Sequence, residues 1–299
     1  MQQYDSRNKD IKVFIGDGLY PRNEAKISVF DSLVQGGDGV WEGIRVYDGK
    51  IFCLNEHINR LMASAKTMMF ENIPTRTFIE NAIFQTLESN NQKDETHIRL
   101  TLSRGKKTTS GMDPRLNQFG CTLIVLAEWK PPIYPDEGIR LVTSSIRRNS
   151  PQNLDSKIHH NNLINNILAK IEGNLRSADD AIMLDNYGFV SETNATNIFM
   201  IKDKVVYTPF ADACLPGITR ANVIRICNEL QLNFQECNMS LSEFYNADEV
   251  FTTGSMGELT NVYEIDGRKI ENCKSASILE RIQTKYKAIT KEEGERLPF

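Results

Sequence analysis

Two short segments of this chain have the make-up of anion-binding turns. Leu215-Pro216-Gly217-Ile218-Thr219-Arg220 leads into a stretch predicted to be helical over 219–230, and a helix start offers backbone N–H groups to an anion. Its glycine admits close approach, and Thr219 adds a hydroxyl. Thr252-Thr253-Gly254-Ser255-Met256-Gly257 follows the apolar pair Val250-Phe251 and offers similar donors. Taken singly, each segment also suits an ordinary glycine-containing turn. The run Asp155-Ser156-Lys157-Ile158-His159-His160-Asn161-Asn162 sets one lysine before polar residues and an apolar helix. A lysine that bonds covalently to a carbonyl group needs burial or flanking cations to become a neutral amine. Sequence does not display burial, so on local grounds Lys157 reads as a surface residue. Glu192, between two predicted strands, is a solvated loop carboxylate or the partner of a buried cation.

Other chemistries lack their residues. There is no GxxxxGK[ST], no HExxH and no GxSxG, and the GGDG at 36–39 has the wrong spacing for a dinucleotide fingerprint. Cys53, Cys121, Cys214, Cys227, Cys237 and Cys273 form no CxxC pair and read as reduced, mostly buried thiols. His57 and His97 stand alone, and adjacent His159 and His160 point different ways on a helix or strand, so no metal set is expected. A net charge of -4 argues against a nucleic-acid partner. No apolar run is long enough to span a bilayer, and MQQYDSRNKD lacks the pattern of a secretory signal. A cytoplasmic protein with no membrane partner is expected.

These residues must be held by an α+β scaffold, and 299 residues suffice for about two domains. A hairpin is predicted at 44–47 and 50–54 around Asp48-Gly49. Ile58, Leu61, Met62, Ala65 and Met69 recur at helical spacing over 55–70, with Asn55 as the cap, and a second helix is expected over 76–89. Strands follow at 97–103 and 121–128. Three prolines within 130–136 stiffen a linker, dividing a domain over 1–129 from one over 137–299. The second holds a strand (139–144), helices (162–175, 219–230 and about 274–289) and a meander at 181–184, 197–201 and 205–208.

In order, the segments GDGVWEGIR (37–45), EHINRL (56–61), LINNILAKIE (163–172), GFVSETNATNIF (188–199), LPGITR (215–220) and GSMGELT (254–260) resemble the class IV aminotransferases. The resemblance covers the chain from about residue 27 onward. It implies the fold-type IV architecture of two α/β domains joined by a proline-containing linker, pyridoxal 5'-phosphate as cofactor, and a homodimer. By position, Lys157 matches the lysine that joins the cofactor covalently and carries the proton. Glu192 matches the carboxylate on the pyridine nitrogen, Arg60 the phosphate-binding arginine, and Ile218, Thr219 and Ser255 the phosphate turns. Arg99, with His97 where the branched-chain type has tyrosine, matches a substrate-carboxylate site. Trp41, Trp129 and Met256 match its apolar lining, with core packing as the alternative for both tryptophans. The implied reaction passes an amino group from a hydrophobic, branched-chain-type L-amino acid to 2-oxoglutarate. A D-amino-acid aminotransferase and an aminodeoxychorismate lyase are the alternatives on the same scaffold. Two departures stand out. Asn162 or Leu163 replaces a tyrosine that follows the lysine, at an irregular offset from Lys157, and Thr196 replaces an acidic residue.

Overall fold

The computed structural model describes residues 4–271 and 277–299. Cys273 and the predicted helix start at 274 lie outside them. The chain divides into two compact units. The first comprises Met1–Pro131, Ile158–Asn162 and Thr290–Phe299, and the second Pro132–Lys157 and Leu163–Ile289. A linear reading places everything after the linker in one domain, whereas two later segments belong to the first unit.

The first unit is a seven-stranded sheet, its strands paired antiparallel throughout. Strand alternation sends Val40, Ile44, Val46, Ile98, Leu100 and Leu102 to one face, where all are fully buried. The helix Leu54–Thr67 contributes Leu54, Ile58, Leu61 and Ala65 to this core, and Arg76–Ser89 contributes Ile79, Ala82, Ile83 and Leu87. Thr75 caps the second helix by accepting from Phe78 N at 3.2 Å. The first helix starts differently from expectation. Its cap is Cys53, at φ 51°, whose side chain does not cap the helix, and Asn55 lies inside the helix.

The second unit is a nine-stranded mixed sheet. Strand Ile139–Thr143 pairs in parallel with both Asp180–Leu184 and Glu258–Ile265. Asn197–Lys202 lies antiparallel between Val205–Thr208 and Glu249–Gly254. Ile198, Val250, Val262 and Phe244 sit in a core with no exposed surface. The short strand Val190–Thr193, absent from the sequence expectation, carries Glu192 against Met183.

Candidate active site

Glu42 is the hub of the first unit. It lies in the same alternating row as Val40, Ile44 and Val46, and so faces the core with no exposed surface. Burying a carboxylate demands charge partners. Arg60 supplies a two-pronged contact, Nε to Oε1 at 2.8 Å and Nη2 to Oε2 at 2.7 Å. His57, one turn earlier on the same helix, places Nδ1 2.7 Å from Oε2. His159 places Nδ1 3.3 Å from Oε1. His57 is therefore not the isolated residue that its sequence neighbours suggest. A carboxylate within an apolar alternating row was the signal for this cluster.

His159 reaches Glu42 because Ile158–Asn162 runs along strand Gly39–Tyr47. Trp41 N donates to His159 O at 2.9 Å, Asn161 N donates to Gly39 O at 2.8 Å, and Trp41 Nε1 donates to His160 O at 3.1 Å. His159 N donates to Ser64 Oγ at 3.1 Å, and its ring centroid lies 4.1 Å from that of Trp41. Its side chain is 14% exposed. Burial lowers its pKa to about 4 despite Glu42, so the imidazole is neutral at neutral pH.

The opposite face of this sheet carries Trp41, Arg99 and His97. The Arg99 guanidinium lies 3.3 Å from the Trp41 ring centroid. Among the described residues Arg99 has no carboxylate within ion-pair distance. Burial lowers its pKa to about 10, with Glu42 opposing, so it stays charged. His97 is buried, and burial with Lys130, Arg45 and Arg99 nearby lowers its pKa to about 3. Trp129 does not join them. It pairs with Thr96, in the row of Ile98 and Ala127, whereas Arg99 pairs with Leu126. The pleat therefore turns Trp129 to the other face, where Arg7 lies 5.4 Å from its ring.

In the second unit Glu192 and the turn at 215–220 are built together. Arg148 Nε donates to Glu192 Oε1 at 2.6 Å, both side chains being 6% exposed. Asn197 Nδ2 donates to Glu192 Oε2 at 3.1 Å and to Leu215 O at 2.9 Å. The turn then enters helix Ile218–Glu229 through Gly217, with no side-chain cap. A Cβ at Gly217 would overlap Asn197 Oδ1, so the glycine permits the turn to approach the carboxylate's anchor. Thr219 is buried in the first turn of the helix. Strand Glu249–Gly254 adds Thr252 and Thr253, whose buried hydroxyls lack partners among the described residues. Ser255 and Met256 follow, half-buried. A buried, oriented carboxylate, an uncapped helix start and spare hydroxyls suit the ring nitrogen and phosphate of pyridoxal phosphate.

Lys157 belongs to this second unit as well. Its side chain is 41% exposed, with Nζ 3.1 Å from Asp155 Oδ1 and donating to Asp212 O at 3.2 Å. The surface position read from its sequence neighbours is therefore its position here. It also lies near the Glu192 cluster. Burial and Glu192 push up the thiol of buried Cys214, while Arg220, Arg148 and Lys157 oppose.

Residues 39–265 match the family model for amino-transferase class IV. The chain is 60% identical to branched-chain-amino-acid aminotransferase-like protein 2 of Arabidopsis thaliana over 97% of its own length and 52% of the relative's. It thus spans about half of the Arabidopsis proteins it resembles. A putative branched-chain-amino-acid aminotransferase of Methanocaldococcus jannaschii is 38% identical, over 95% of this chain and 98% of that one. The T.th. branched-chain amino acid aminotransferase, solved with N-(5'-phosphopyridoxyl)-L-glutamate, superposes with a TM-score of 0.88 at 32% identity, over 95% of each chain. The chain therefore belongs to the class IV aminotransferases, a pyridoxal-phosphate-dependent family, and has their fold. No described helix is long and apolar enough to cross a membrane.

Proposed function

We propose that this chain binds pyridoxal 5'-phosphate and exchanges an amino group between a branched-chain-type L-amino acid and 2-oxoglutarate. The observation that carries the substrate class is Arg99 over Trp41. A charged guanidinium without a carboxylate partner among the described residues, laid on an indole, offers a carboxylate anchor beside an apolar wall. His97 and Met256 are assigned to the same substrate site. Glu192 holds the ring nitrogen, and Ile218, Thr219, Ser255 and Arg60 hold the phosphate. The cofactor, when bound, supplies the electron sink for the amino acid's α-carbon. Lys157 is assigned to attach the cofactor and to move the α-proton with its amine.

A panel of L-Leu, L-Val, L-Glu and D-Ala as donors tests this reading. Conversion of L-Leu or L-Val with 2-oxoglutarate is expected. Conversion of D-Ala alone, or release of pyruvate from aminodeoxychorismate, contradicts it in favour of a relative's chemistry.

A homodimer is proposed as well. Helix Ile164–Leu175 exposes Ile164, Ile167, Leu168, Ile171 and Leu175 at helical spacing, Leu175 to 81%. An apolar stripe of this kind marks an association surface. Light scattering is expected to give twice the chain mass, and Ile167→Glu to reduce it. A fully active monomer contradicts the assignment.

A further inference from the structure

His159 stands two residues beyond Lys157, yet it belongs to the first unit with the rest of Ile158–Asn162. Its side chain touches two groups that point to opposite faces of one strand. Nδ1 lies 3.3 Å from Glu42 Oε1, and the ring lies against the Trp41 indole at an interplanar angle of 39°. Successive residues of a strand project to opposite sides, so only a side chain entering from the strand's flank can meet both. The backbone bonds of Ile158–Asn162 to Gly39 and Trp41 place it on that flank, and Ser64 fixes the His159 amide.

Each of the two contacts leads to a different part of the proposed site. Glu42 grips the Arg60 guanidinium by two nitrogens, and so sets the plane of the arginine assigned to phosphate. Trp41 carries the Arg99 guanidinium on its ring, and so forms the wall beside the substrate anchor. An ionised carboxylate only accepts hydrogen bonds, so the Glu42 contact holds the imidazole in the tautomer that donates from Nδ1.

We propose that His159 is a positioning residue for both parts, holding Glu42 in place for Arg60 and bracing Trp41 for Arg99. The proposal rests on the functional reading above, in which Arg60 serves the cofactor and Trp41 with Arg99 serves the substrate. Its two contacts need different chemistry, one an N–H donor and the other a flat ring, so they can be removed one at a time.

Two variants of the intact protein provide the test. His159→Asn keeps an N–H donor at the position of Nδ1 and loses the ring. It should retain cofactor affinity while raising KM for L-Leu about tenfold, with kcat little changed. His159→Phe keeps the ring and loses the donor. It should retain KM for L-Leu and weaken pyridoxal phosphate binding, read by calorimetry, by about tenfold. In a Trp129→Phe background the emission of Trp41, then the only tryptophan, should change in His159→Asn more than in His159→Phe. A merely structural role would lower both properties together in both variants, and that result overturns the proposal, as does no change in either. If the unaltered protein converts no donor, the functional reading fails, and the calorimetric and emission comparisons still decide whether His159 holds Glu42 and Trp41.

Discussion

Glu42→Ala is expected to destabilise the first unit by about 3–5 kcal/mol, the cost of leaving a buried charge without its partner. Glu42 is fully buried and binds Arg60 in two places, with His57 and His159 against the same two oxygens. Removing it strands a 14% exposed guanidinium and a 3% exposed imidazole in an apolar layer. Glu42→Gln keeps the volume and one acceptor, so its loss should be smaller. Urea unfolding followed by circular dichroism measures both. A change below about 1 kcal/mol for Glu42→Ala, the range of exposed pairs, would show that the cluster is solvated rather than buried.

The same cluster sets a pH dependence. Burial pushes against ionisation of Glu42, but His159, Arg60 and His57 outweigh it and hold the carboxyl well below its usual range. At neutral pH His159 is uncharged, and Arg60 meets the carboxylate through its two-pronged contact. His159 titrates at about 4 and His97 at about 3 in the folded chain, against 6.5 for an ordinary histidine. The unfolded chain therefore binds more protons than the folded one once the pH drops below about 6.5, and stability falls with pH. Glu42 acts in the same direction, its contribution being complete above the ordinary carboxylate pKa and lost as pH falls through its depressed value. The urea midpoint should accordingly be lower at about pH 5 than at about pH 7.

Glu192→Ala is the second large effect. It leaves Arg148 buried beside Asn197 without its carboxylate, again at a cost of about 3–5 kcal/mol. On the proposed function it also removes the partner of the cofactor's ring nitrogen, and it loosens Asn197, which holds the Leu215 carbonyl ahead of Gly217. Cofactor affinity should fall by at least tenfold, or about 1.4 kcal/mol. Glu192→Gln separates the two consequences. It retains hydrogen bonds to Arg148, so the fold should survive while the cofactor is held weakly.

Local pattern carried much of the scaffold. The helix predicted over 76–89 is the helix observed, because Ile79, Ala82, Ile83 and Leu87 repeat on one face and Thr75 caps it. The glycine at the start of helix Ile218–Glu229 and the one at the end of strand Glu249–Gly254 were legible as breaks between elements, though not their use. The partnerships were not. Arg148 and Glu192 lie 44 residues apart, and Glu42 and His159 117 apart, so only tertiary packing reveals that they touch. The strand Val190–Thr193 is too short and polar to show alternation. The return of Ile158–Asn162 to the first unit separates His159 from Lys157, two neighbours that sequence alone cannot assign to different surroundings.

Glu192 and the Gly217 turn are the second unit's proposed share of the cofactor site. Calorimetric titration of the intact protein and of Glu192→Gln with pyridoxal phosphate tests it most directly. One saturable site per chain is expected, weakened at least about tenfold in the variant. Equal affinity in the two proteins, or no binding by the unaltered chain, would contradict it.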